Sequence, residues 1–130
     1  MADTLHVELV AADRVAWSGE AKLVIARTVE GDVGVLPHHA PMLAVLVEGI
    51  VEVRTVDDET WVAVVNGGFL SVAHDRVSIL SEHAEMSHEI DLETARHDLE
   101  RARAAGENDA EQMEAMRLAE ARIRAVEKAS

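Results

Sequence analysis

The segment Gly31-Asp32-Val33-Gly34-Val35-Leu36-Pro37-His38-His39-Ala40-Pro41-Met42 holds both prolines of the chain. Glycine admits positive φ, and proline fixes φ and removes a backbone donor. Each proline also drives the residue before it, Leu36 or Ala40, away from helix. The stretch therefore reads as a shaped loop between strands, with few conformations to lose on folding. Two readings stand side by side: a tight connection in an all-β domain, or a contact loop held rigid for a partner.

On the N-terminal side of this loop, residues 4–10 place Leu5, Val7 and Leu9 on one face and His6 and Glu8 on the other, the pattern of a half-buried strand. Val15 to Trp17, then Ser18-Gly19, then Ala21 to Thr28 suggest a hairpin or a bend into another strand. On the C-terminal side, Met42 to Val47 is a short apolar run that Glu48-Gly49 breaks. Residues 50–56 alternate, Asp57-Asp58-Glu59 makes a polar turn, and Thr60 to Val65 returns. Asn66-Gly67-Gly68 signals a turn or bulge. Phe69 to Ala73, His74-Asp75 and Arg76 to Ser81 form one more hairpin. About eight to ten short strands of this kind predict a sandwich or flattened barrel. No helix-period segment separates them, which disfavours a parallel α/β sheet.

Near residue 87 the period changes, dividing the chain into a β-sandwich at 1–86 and a helical hairpin at 87–130. Leu92, Ala95, Leu99 and Ala102 make one helical stripe. Asp91 is placed to cap it, with Ile90 and Ala95 at staple positions, and Gly106 ends it. Asn108-Asp109-Ala110-Glu111 reads as a capping box opening a second helix, striped by Met113, Met116, Ile123 and Val126 with Ala119 between. Acids at its start and Arg122, Arg124 and Lys128 at its end suit the helix dipole. The short connection makes the pair antiparallel. Its few large apolar residues are too few to offset the ordering of so much backbone, so the hairpin must lean on something. It is either permanently packed or close in free energy to a detached state.

Composition narrows the function. A chain of 130 residues supports one core. Its net charge of −13 argues against nucleic acid or an anionic membrane as direct ligand, and 2% aromatics leave little for base stacking. Without cysteine there is no disulfide, thiol nucleophile or thiolate metal site. The first residues lack the pattern of a signal peptide, and no apolar run is long enough to span a bilayer, so a cytoplasmic address is expected.

Signatures of catalytic machinery are sparse in the chain. There is no GxxxxGK[ST] and no GxSxG; Gly31-Asp32-Val33-Gly34 is a GxxG without a following helix. Of seven histidines (His6, His38, His39, His74, His83, His88 and His97), the adjacent pair points apart on extended backbone, and no HExxH pattern supports zinc. Glu82, Glu85 and Glu89 read as a solvated strand-to-helix junction. Residues 1–88 carry 14 acids and 5 bases, residues 89–130 carry 11 and 7. The sandwich is thus the acidic part, and the last helical turns are locally basic. Those bases read either as i,i+4 pairs, such as Glu120 with Arg124, or as a basic tip for an acidic partner.

Several segments together carry a family resemblance: Leu5-His6-Val7-Glu8-Leu9-Val10, Trp17-Ser18-Gly19, the Gly31 to Met42 stretch, Glu48-Gly49, Asn66-Gly67-Gly68-Phe69 and His83-Ala84-Glu85, followed by two short helices. The arrangement resembles the epsilon subunit of the bacterial rotary F-type ATP synthase (delta subunit in mitochondria). That resemblance implies a non-catalytic foot for the rotor, gripping the gamma subunit and seated on the c-ring, peripheral to the cell membrane on its cytoplasmic side. Asp32, Val33, His38, His39 and Pro41 are the expected contacts to gamma and the c-ring. The hairpin is implied to extend and restrain ATP hydrolysis, with Arg117, Arg122, Arg124 and Lys128 facing the catalytic alpha and beta subunits.

Some members bind ATP through Ile-Asp-x-x-Arg-Ala. The corresponding residues here are Ile90-Asp91-Leu92-Glu93-Thr94-Ala95, with Thr94 in the arginine's place and Arg96 two positions on. Glu85, Ile90, Asp91, Ala95 and Arg124 are the nucleotide candidates. Loss of a guanidinium fork weakens phosphate recognition, so no cofactor is expected. The alternative from another class is a soluble all-β ligand-binding module with a helical oligomerisation tail.

Overall fold

Residues 63–65 on one strand pair with residues 84–86, and residues 69–73 of that same strand pair with residues 76–80. This change of partner organises the architecture of the computed structural model, which describes residues 3–106 and 110–129. Seven strands are present among the described residues: β1 (Leu5–Val10), β2 (Val15–Thr28), β3 (Gly31–Val35), β4 (Met42–Thr55), β5 (Thr60–Ala73), β6 (Arg76–Leu80) and β7 (Ala84–Met86). A 3-10 turn, Ser87–Glu89, leads to α1 (Leu92–Ala105) and α2 (Ala110–Ala129). The sheet order is β1-β6-β5-β4-β2-β3, and an added β1–β2 pairing closes the ring into a flattened barrel. Only β1 and β6 run parallel among these pairs. The expected β-sandwich followed by a helical hairpin is what forms.

The strands are fewer and longer than about eight to ten short ones. β2, β4 and β5 each run 14 residues, because each passes through a segment expected to break it. Glu48-Gly49 stays inside β4, opposite Asn66 and Val65, and Trp17-Ser18-Gly19 stays inside β2, opposite β1. Asn66-Gly67-Gly68 stays in register within β5, with φ of 106° and 115° at the glycines, where the strand changes partner from β7 to β6. A Cβ at Gly68 would collide with the Leu80 carbonyl, so only glycine fits there. The proline segment divides likewise. Gly31–Val35 is an edge strand hairpinned onto β2, and the loop proper is residues 36–41.

The interior is aliphatic: Leu5, Val7, Leu9, Val24, Val35, Leu70, Val72 and Ile79 are all buried. Along β5 both faces are covered. Ala63 and Val65 join this core, whereas Val62 and Val64 point outward beneath α2. That second cover explains an unbroken apolar run where alternation would be expected from a half-exposed strand. Ala121 and Ala125 of α2 lie on Val62 and Val64, with Leu118, Ile50 and Ile90 at the margin. α1 packs on α2, burying Ala95 and Ala102.

Asp91 caps α1, accepting from the amides of Glu93 and Thr94 at 3.0 and 3.5 Å. Gly106 ends it with φ 91°. The expected capping box at residues 108–111 begins outside the described residues. The stripe on α2 needs correction. Met113 is exposed, Met116, Ile123 and Val126 are half-buried, and the fully buried positions are Ala119, Ala121 and Ala125. A helix lodged between a sheet and another helix needs small residues for close approach, and a reading weighted by side-chain size passes over them.

Candidate functional site

The loop at residues 36–41 is fixed at both ends and from the side. The His39 amide donates to the Leu36 carbonyl at 3.2 Å, closing a turn. His38 takes φ 70°, and its amide donates to an Asp75 carboxylate oxygen at 2.6 Å. Its imidazole lies 3.2 Å from Asp3 and 3.7 Å from Asp75. The hydrogen bond and charge of Asp3, then the charge of Asp75, raise the His38 pKa above the ordinary imidazole value. His39 Nδ1 lies 2.7 Å from the Ala40 carbonyl, and Pro41 is exposed. On the adjoining edge strand, Asp32 faces Arg27 across the β2–β3 pair, with Nε donating to Oδ1 at 3.1 Å. Val33 packs against the core. The structure thus brings His38, His39 and Pro41 together in one preshaped loop, and sets Asp32 and Val33 on the strand before it.

An apolar row went unrecognised in the sequence. Val45 on β4, Phe69 on β5 and Leu80 on β6 are direct cross-strand neighbours. They are 46%, 51% and 49% exposed, and Leu43, two residues from Val45, is 73% exposed. Four large aliphatic and aromatic side chains on one outer face form a patch suited to a macromolecular neighbour. The available signal was the unbroken apolar run Met42–Val47. A strand apolar on both faces needs cover on both.

The hairpin is clasped to the sheet by charge as well as by alanine. Arg117 donates to Glu48 at 2.7 Å. Arg122 donates to Glu85 at 2.8 Å and reaches Asp98 of α1 at 3.5 Å. Lys128 lies 3.5 Å from Glu52. Burial opposes ionisation of Glu85, but the hydrogen bonds from Arg122 and His83 outweigh it and hold its pKa below the ordinary carboxylate value. At the junction, Arg14 grips Glu89 with two hydrogen bonds of 3.0 and 3.1 Å. Arg124 lines a cavity of about 250 Å³ together with Arg27, Asp32, Glu52 and Lys128.

Four of the five nucleotide candidates are engaged within the fold, and the fifth, Arg124, lines the cavity beside Glu52. Glu85 is engaged by Arg122 and His83, and the Asp91 carboxylate caps α1. Ile90 packs beneath α2, and Ala95 is buried. Arg122, two residues from Arg124 and so roughly 200° around the helix, is the guanidinium beside Glu85. Among the described residues, no group of three or more His, Asp and Glu could hold a metal ion. No helix among them is long and apolar enough to cross a membrane.

This geometry asks for neighbours rather than for a substrate. A braced contact loop, an outward apolar row and a hairpin clasped by ion pairs define a platform that holds other macromolecules. Residues 4–87 match the family described as ATP synthase, Delta/Epsilon chain, beta-sandwich domain. The ATP synthase epsilon chain of Streptomyces avermitilis is 56% identical over 126 residues, covering 97% of this chain and 98% of the relative. That of Rhodococcus jostii is 48% identical, with 96% and 98% covered. A chain in the cryo-EM structure of the Euglena gracilis mitochondrial ATP synthase, which includes the c-ring, superposes with a TM-score of 0.82 at 27% identity, covering 99% of this chain and 82% of that one. The chain belongs to the ATP synthase epsilon family. It is a non-catalytic subunit, and that membership displaces the ligand-module alternative.

Proposed function

We propose that this chain is the rotor foot of a proton-driven ATP synthase. As part of the central stalk it couples the gamma subunit to the c-ring, peripheral to the cell membrane on the cytoplasmic side. Residues 1–86 make those contacts, and residues 87–130 regulate. A load-bearing contact should be preorganised, so that force turns the rotor instead of bending the loop, and the bracing of His38 by Asp75 and Asp3 supports that role. The row Leu43, Val45, Phe69 and Leu80 suits burial against gamma. Asp32 and His39 suit the polar loops of the ring. An exposed ion pair from Asp32 would contribute only about 0–1 kcal/mol, so the apolar row carries more of the affinity.

One observation carries the regulatory half. Arg117 and Arg122 are hydrogen-bonded to Glu48 and Glu85 while the hairpin is docked, and Lys128 stands 3.5 Å from Glu52. Detachment frees these cations, with Arg124, for an acidic surface on the catalytic alpha and beta subunits, which would jam ATP hydrolysis. Each state then rests on its own contacts, and the balance between them is a population shift. Nucleotide binding is not part of this reading, since Glu85 and Asp91 already have partners.

Two experiments test it. Purified gamma should form a one-to-one complex with this chain at micromolar concentrations, and absence of a complex would overturn the coupling role. Removal of residues 88–130 should leave assembly intact and raise ATP hydrolysis by the reconstituted complex. An unchanged rate would remove the inhibitory role.

A further inference from the structure

Glu52 is 5% exposed, which is unusual for a carboxylate that no catalytic site requires. It lies on the outward face of β4, in register with Ile25 on β2 and Val62 on β5, so aliphatic side chains flank it on both sides. α2 covers this part of the sheet, packing on Val62. Two cations face it, neither in a close hydrogen bond. Lys128 Nζ stands 3.5 Å from Oε1, and Arg54 Nη2 stands 3.3 Å from Oε2. Oε2 is buried without a hydrogen-bond partner.

The two other acids under the hairpin differ. Glu48 accepts from Arg117 at 2.7 Å, and Glu85 accepts from Arg122 at 2.8 Å while lying 2.9 Å from His83 Nε2. Close, hydrogen-bonded pairs of this kind offset much of the desolvation they incur, whereas a buried carboxylate with one oxygen left without a hydrogen bond is matched less completely.

We propose that Glu52 is a release element: its charge is stripped of water when α2 docks, is incompletely matched there, and drives the hairpin toward the open state, opposing the clasps at Glu48 and Glu85. Lifting α2 returns water to Glu52 and loses only a long contact to Lys128, itself 50% exposed. The inference goes beyond the regulatory role proposed above. It requires reversible opening of the hairpin in the isolated chain, not inhibition of hydrolysis by the opened form.

Hydrogen exchange of α2 amides in the full chain, followed by mass spectrometry, measures that opening, since a detached helix of this length is marginal and exchanges freely. Glu52→Gln keeps the shape and removes the charge; it should slow α2 exchange by about tenfold. Glu48→Gln and Glu85→Gln should each accelerate it by a similar factor. Glu52→Leu, matched to Ile25 and Val62, should slow exchange at least as much as Glu52→Gln; if that variant misfolds, the glutamine variant decides alone. Unchanged or faster exchange in Glu52→Gln would overturn the proposal. A hydrolysis assay unaffected by the hairpin would leave these exchange rates untouched, so the two ideas fail separately.

Discussion

Leu70 on β5 and Ala121 on α2 are both completely shielded from solvent, yet they sit in cores of different kinds. Leu70 belongs to an interior enclosed by strands that close on themselves, through the β1–β2 and β1–β6 pairings. Ala121 belongs to a smaller cluster that exists only because a helix lies on Val62 and Val64. The sandwich closes through strand pairs alone, whereas the hairpin takes Val62 and Val64 of the sandwich into its own cluster. The proposed contact surface therefore sits on the part closed as a ring, and the part proposed to move is held by a few alanines and a few ion pairs.

The sharpest way to break this contrast is to damage each core in turn. Leu70→Ala should cost about 2–5 kcal/mol and lower the unfolding midpoint of the whole chain, as deletion of a buried leucine does. Calorimetry should show a single shifted transition. If only the hairpin responded, the ring would not be the stable unit.

Ala121→Leu should have the smaller and more local effect. Overpacking between α2 and the sheet costs about 1–3 kcal/mol, and lifting the helix relieves it. Exchange should quicken in α1 and α2 while the strands keep their protection. Equal loss of protection in β1 and β3, neither of which pairs with the strands beneath α2, would mean that the two parts unfold as one.

These two residues also show what could be read in advance. The periods of strand and helix, the Asp91 cap and the terminating Gly106 are local chemistry, and they form as expected. The long strands were missed because Gly49 and Gly67 break a pattern only in one dimension. In the sheet, Glu48 and Gly49 lie opposite Asn66 and Val65, so cross-strand pairing carries β4 and β5 past their apparent breaks. Ala121 and Ala125 were missed because they are small, and only the helix's two neighbours reveal why small is needed. The clasps were out of reach for another reason. Arg117 and Glu48 are 69 residues apart in sequence, and no pattern along the chain joins them.

The smallest effects separate the two regions by pH, with opposite signs. Glu85 has its pKa lowered in the docked hairpin, so the open form binds protons more readily. Its contribution to docking is complete at neutral pH and is lost as pH falls through the carboxylate range. His38 has its pKa raised by Asp3 and Asp75. Its hold on the loop is complete below the ordinary imidazole value and is lost as pH rises through the folded value. Through Glu85, acid should therefore loosen the hairpin while leaving the loop braced, and mild alkali should do the reverse, most cleanly in Glu52→Gln, where the opposing carboxylate is absent. Exchange rates of α2 amides and of residues 36–41, followed against pH, check both slopes. His38→Gln should flatten only the loop's slope, and Glu85→Gln only the hairpin's. If either variant flattened both, the contact end and the hairpin would be coupled through the sheet, and their independence would have to be given up.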